Sequence, residues 1–178
     1  MKNRLLLAVT CLLFLAVATR ADSWATPTPR LFTNAWGTHA LKVLPAADKM
    51  FGPADAVLFT LDEKGNERPQ WKGRLVNLPH RVYLSPSTKH IVTIDTYGQL
   101  GYQHAVVIYT DGGKVVADYR LEDLVTAAEL ADKVMKTVSS RHWASGARIH
   151  FPDTANSVEI ELKWGRTIKI DLETGKLK

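Results

Sequence analysis

The chain has 178 residues, 46% of them hydrophobic, with 23 Lys and Arg against 18 Asp and Glu, six His and one Cys. Three of the bases (Lys2, Arg4 and Arg20) and the cysteine, Cys11, lie in the first 21 residues, which hold no acid, so the rest carries 20 bases against 18 acids, a net of +2. So small a net charge gives no electrostatic case for nucleic-acid binding, which needs a clustered basic face. The place of the one cysteine excludes disulfides, thiolate metal sites and a Cys nucleophile beyond the first segment, while the roughly 157 remaining residues suffice for one domain with about 68–70% of its chain surface buried.

In chain order, residues 1–21 read as a secretory signal peptide. Lys2 and Arg4 form the positive start, Leu5 to Ala18 the apolar run, and Thr19-Arg20-Ala21 the cleavage site, with Ala16-Val17-Ala18 as the competing one. The apolar run of 14 residues is shorter than the roughly 17–25 needed for a membrane span. The expectation is a secreted or periplasmic protein with no membrane span after cleavage. Residues 22–30, with Pro27 and Pro29, read as an extended N-terminal tether.

Residues 31–178 read as a single β-rich domain. THALKVLP (38–45), AVLFTLD (56–62) and IVTID (91–95) are strand-like, and HAVVIY (104–109) is an unbroken apolar run, as a strand covered on both faces should be. One helical excursion is expected at about 121–137: Thr126 and Glu129 form a capping box, and Ala127, Leu130, Ala131 and Val134 share one helical face. SVEIELKW (157–164) then alternates, with Val158, Ile160, Leu162 and Trp164 facing inward as core. RTIKIDL (166–172) follows in the same manner, which predicts a tight hairpin about Gly165 and Arg166.

The β segments repeat. HRVYLSPSTKHIVTID (80–95) lies over ARIHFPDTANSVEIEL (147–162) with one gap, and VVIYTDGGK (106–114), IKIDLETGK (168–176) and VLFTLDEKGNE (57–67) form a shared following element. This spacing predicts three successive units, about 31–78, 79–120 and 141–178, with the helical insert between the last two. The pattern of strand, Ser-Pro turn, strand, then aliphatic strand ending in a Gly-Lys turn resembles a blade of secreted bacterial β-propellers. The stretch 75–124 also resembles an uncharacterised exported bacterial family of planctomycete type. The resemblance implies an exported β-rich fold and carries no activity or catalytic residues. Three units are fewer than the 4–8 blades that usually close a ring, which leaves an incomplete propeller, an open sheet stack, or an oligomer that completes the ring.

The most site-like stretch is DTYGQLGYQH (95–104). Gly98 and Gly101 permit tight geometry, Tyr97 and Tyr102 supply rings, and Asp95 and His104 close the ends of neighbouring strands. There, a carboxylate and an imidazole could share a proton, a cation or a sugar hydroxyl. Trp71, between Gln70 and Lys72, is the tryptophan expected to be exposed and open to stacking on a sugar. The competing reading makes all five residues ordinary loop and packing groups. The six histidines show no zinc spacing, no hydrolase elbow is present, Asp111-Gly112-Gly113-Lys114 is no phosphate loop, and Glu159 with Glu161 reads as a solvated face. No catalytic residue, metal site or cofactor is expected.

The reading is therefore a mainly β, antiparallel fold of blade-like units with one inserted helix, acting as an exported non-enzymatic binding or interaction module of the bacterial cell envelope. Its expected partners are envelope proteins or glycans. The alternatives are a small-ligand, sugar or metal binder using the 95–104 loop, and a hydrolase with a dispersed site whose mark would be a histidine of shifted pKa in a cleft.

Overall fold

The computed structural model describes residues 24–46, 51–87, 89–152 and 156–178. The expected signal peptide and the first two residues of the tether lie outside them. Among the described residues no helix is long and apolar enough to cross a membrane.

The chain forms three antiparallel sheets, each a meander in chain order. The first holds β1 (Arg30–Thr33), β2 (His39–Leu44), β3 (Ala54–Leu61) and β4 (Glu67–Leu75); the second β5 (Pro79–Leu84), β6 (His90–Thr96), β7 (Val106–Thr110) and β8 (Val115–Tyr119); the third β9 (Arg148–His150), β10 (Ser157–Glu161) and β11 (Thr167–Asp171). The chain end adds a short fourth line to the third sheet: Leu177 bridges Ile170, and the Lys178 N–H donates to Lys169 O at 2.9 Å. The fold is thus mainly β and antiparallel, with no closed barrel among the described residues.

Sheet two is the middle layer. Val92, Ile94, Val106 and Ile108 point to one apolar cluster, shared with Val158, Ile160, Ile168 and Ile170 of the third sheet. Ile91, Val107 and Tyr109 point to another, shared with Leu41, Val43, Ala56 and Leu58 of the first. This is why 104–109 is continuously apolar whereas β10 and β11 alternate: a strand covered on both sides leaves no face for water. The first strands of the three sheets meet about one groove of about 310 Å³, lined by Thr33, Val82, Tyr83, Leu84, Ile149 and Phe151 among others.

Between the second and third sheets the expected helical excursion is two short helices, α1 (Leu121–Leu124) and α2 (Ala127–Asp132). Val125 is extended (φ −129°, ψ 153°) and breaks the pair, because Thr126 must be extended to cap α2. The capping box forms: the Glu129 N–H donates to Thr126 Oγ1 at 3.2 Å, and the Thr126 N–H donates to the Glu129 carboxylate at 2.8 Å. The apolar face foreseen for one longer helix is not used as such. Ala127 and Ala131 are exposed, Leu130 is half-buried, and Val134 is buried beyond the helix end.

Trp164 packs against the expected core but at its edge, half-buried. β10 stops at Glu161, and the chain turns through Leu162–Arg166, with the Leu162 N–H donating to Arg166 O at 2.8 Å. The half-buried Trp164 ring gives its Nε1–H to Glu129 Oε1 at 3.0 Å, a partner the apolar interior would not provide. Glu129 also pairs with Arg166. With backbone and side-chain donors around it, its carboxyl is held down to about 2, the Thr126 N–H being the largest cause.

Candidate functional site

Asp95 and His104, at the two ends of the 95–104 loop, are the described non-glycine residues with left-handed backbone, φ 60° and 58°. Such a conformation is uncommon outside glycine, although Asp and His are among the residues that tolerate it. It lets the loop leave and re-enter the sheet while the Asp95 N–H still donates to Ala105 O at 3.0 Å. Gly101 is required here: its φ is +69°, and a Cβ would sit 2.5 Å from Arg141 O.

The two polar ends face different partners. Asp95 is 2% exposed, and its Oδ1 accepts from the Gly101 N–H at 2.8 Å and from Trp143 Nε1–H at 2.8 Å. Its backbone carbonyl and Thr96 Oγ1 both receive the Asn77 amide, at 3.2 and 3.0 Å. His104 turns the other way, with Nδ1 2.8 Å from Asp118 Oδ2 on β8. Its imidazole therefore forms a dyad with Asp118, not with Asp95.

The aromatic residues of the loop also have structural partners. The Tyr97 hydroxyl donates to Ala25 O at 2.9 Å, and its ring meets Trp24 edge-on at 4.9 Å. Tyr102 lies under the Arg141 guanidinium at 4.3 Å, and Arg141 is paired with Glu122. Trp71 is half-buried and covers two backbone glycines: a Cβ on Gly73 or Gly113 would come within 2.4 or 2.1 Å of its ring. It joins β4 of the first sheet to the β7–β8 turn of the second.

Of the five residues singled out from the sequence, Asp95 borders a cavity that sequence reasoning did not assemble. This cleft, of about 230 Å³, is lined by His80, Arg81, Asp95, Leu100, His142, Ala144, Ser145 and Gly146. β5 supplies His80 and Arg81, the end of β6 supplies Asp95, the loop that follows it supplies Leu100, and the segment between α2 and β9 supplies His142, Ala144, Ser145 and Gly146. Arg81 is anchored by Nη2 donating to Ala144 O at 3.0 Å, and the His80 carbonyl is held by Arg30 Nη1 at 2.7 Å. The His80 ring is backed by Trp24, edge-on at 5.8 Å. His80 Nδ1 and Arg81 Nε are shielded from solvent and have no hydrogen-bond partner among the described residues.

The electrostatics follow from burial. Loss of water pushes the Asp95 carboxyl up to about 6, against the pull of Trp143, Gly101 and Arg81. Burial likewise holds the His80 imidazole down to about 4, helped by the positive charges of Arg81 and Arg30 and by His142. At neutral pH the cleft therefore presents a carboxylate, a guanidinium and a neutral His80 ring. Both bonds to Asp95 fall on Oδ1; Oδ2 has no hydrogen-bond partner among the described residues. Among those residues no three His, Cys, Asp or Glu side chains converge as a metal site.

His80, Arg81, His142 and Trp143 carried no local signal. They stand in ordinary strand and loop contexts, and Trp143 meets Asp95 across 48 positions of sequence. The one available hint was the aspartate itself, which follows Ile94 near the end of a strand and must find donors somewhere if buried. Compared with protein-family models, with curated proteins and with solved structures, the chain has no match.

Proposed function

We propose that this protein is an exported, non-enzymatic binding module of the bacterial cell envelope, built of repeated blade-like units, that holds a small ligand in the cleft beside Asp95. The carrying observation is the half-satisfied carboxylate: Oδ1 accepts two hydrogen bonds, whereas Oδ2, on a side chain that lines an open cavity, accepts none. A carboxylate oxygen that faces a cavity and has no protein donor is open to a donor from a bound molecule. The repeat reading draws support from the shared chain-order meander of the three sheets and from the Leu177 bridge that extends the third. Export rests on the composition of residues 1–21.

The test is a thermal-melt panel of small sugars, polyols, organic acids and divalent metals. A ligand of the native state raises the melting temperature by mass action. The expected result is a rise with at least one small solute that Asp95→Asn removes; a flat panel would move the reading to protein partners.

A dispersed-site hydrolase is the second reading. It is favoured by one observation, that a histidine held down to about 4 and an aspartate pushed up to about 6 share a cleft. Turnover of chromogenic esters or glycosides that His80→Gln abolishes would establish it. Binding without turnover supports the module.

A further inference from the structure

Building on the small-ligand reading, we infer that the Asp95 cleft takes a neutral, hydroxyl-rich molecule of about one sugar ring, which donates a hydroxyl to Asp95 Oδ2 and accepts from the Arg81 side of the cavity. Charge decides the class. An anionic ligand would sit beside the Asp95 carboxylate, and a cationic one beside the Arg81 guanidinium, so each would meet a like charge in a partly water-excluded space. A polyol meets neither penalty, because every hydroxyl both donates and accepts. It can thus serve a carboxylate oxygen and a guanidinium in one molecule.

Size and shape agree. The cavity of about 230 Å³ lies below the roughly 300–1,000 Å³ of pockets for drug-sized ligands, so it admits a single ring and not a chain. One wall is the His80 ring, itself backed by Trp24 at 5.8 Å and Tyr97 at 6.4 Å. That wall gives the C–H face of a sugar an aromatic surface, while the hydroxyl edge faces Asp95. His80, Asp95 and His142 all line the cleft, but among the described residues they do not converge as a three-ligand group for a divalent cation.

The structure supplies its own reporter. Trp143 Nε1–H donates to the same carboxylate, so occupancy of Oδ2 shifts the Trp143 indole resonance in a ¹⁵N-correlated NMR spectrum of the protein produced from its full-length chain. At pH 7.5, where Asp95 is ionised, the probes are glucose, N-acetylglucosamine and glycerol, set against phosphate, lactate and methylammonium. The expected result is a saturable shift with a neutral sugar that weakens tenfold or more in Asp95→Asn. That variant keeps an oxygen for Trp143 and Gly101 but replaces Oδ2 by an NH2 donor, and Asn tolerates the left-handed backbone; its retained melt and indole resonance show that it folds. A shift with phosphate, lactate or methylammonium while the sugars stay silent overturns the polyol class and leaves the small-ligand reading standing. Silence from all probes overturns both. A sugar shift of equal strength in Asp95→Asn places the sugar elsewhere and overturns the assignment.

Discussion

β6 and β10 occupy the same place in their sheets, second in the meander with a partner on each side, yet they are built by opposite rules. β10 alternates: Val158 and Ile160 are buried, while Glu159 and Glu161 face outward, where Lys169, His150 and Arg148 meet them. In β6 all seven residues are buried, four of them (His90, Thr93, Asp95 and Thr96) polar or ionisable. A sheet with one wet face lets water satisfy its polar groups. A middle sheet must draw partners from elsewhere in the chain, as Asp95 does from Gly101 and Trp143 and as Thr96 does from Asn77. Asp95 Oδ2, which has no protein donor among the described residues and belongs to a side chain lining the cleft, is the atom of this strand left open to a bound molecule.

The hardest blow to this contrast comes from Trp143→Phe. It removes the indole donor from a buried carboxylate and leaves a small void, which together should cost about 2–4 kcal/mol in urea unfolding. It should also push Asp95 higher still, because the Trp143 bond is the largest of the influences pulling it down. A cost under about 1 kcal/mol, the typical net worth of a neutral hydrogen bond, would mean that the polar heart of the middle sheet is not held by its long-range partners.

The pH dependence sharpens the point. The Asp95 carboxyl lies at about 6 in the fold against an ordinary 3.8. Its ionisation therefore destabilises the native state fully above pH 6, on the order of 3 kcal/mol at about 1.4 kcal/mol per pKa unit, and this is relieved as pH falls from 6 towards 3.8. His80 runs the other way. Being held at about 4 against 6.5, it costs nothing above pH 6.5 and destabilises increasingly as pH falls towards 4. The two offset each other in the wild type. Asp95→Asn leaves His80 alone, so between pH 7 and 4 the variant should lose stability relative to the wild type by on the order of 3 kcal/mol. Paired melts across that range check it, and parallel curves would show that Asp95 does not titrate as a buried group.

The smallest effect belongs to the third sheet. Ile160→Val should cost about 0.5–1.5 kcal/mol, with a difference from wild type that is constant from pH 7 to 4, since the only titratable side chains in its apolar cluster are tyrosines, which stay neutral over that range. A pH-dependent difference would show that the two sheets are coupled through that cluster.

How much of this was legible follows the same division. The hairpin of β10 and β11, the doubly buried β7 and the Thr126–Glu129 capping box could all be read directly, because each depends on residues within a few positions of one another. The helical insert was placed in the right stretch but drawn as one element, since a period cannot show that Val125 must stay extended for the next cap. Trp164 followed the strand's alternation on paper. In the fold its N–H goes to Glu129, on an element 35 positions away. Within the candidate site, Asp95 was visible as an acid near the end of a strand, at the start of the Gly-rich loop. Its pairing with His104 was only a matter of neighbouring strand ends, and the left-handed backbone at both residues sends their side chains to different partners.

By itself, then, the sequence determined the class of the fold: alternation and apolar runs report whether a strand has one dry face or two, and that is enough to make this chain antiparallel, sheet-rich and layered. What only the tertiary structure decided was the cleft. His80 and Arg81 from β5, Asp95 from β6 and His142 from the segment before β9 meet because that segment folds back against the second sheet, where Arg81 donates to Ala144 O. The shifted ionisation of Asp95 and His80 arises from the burial that this packing imposes, a property that no residue carries before the chain folds.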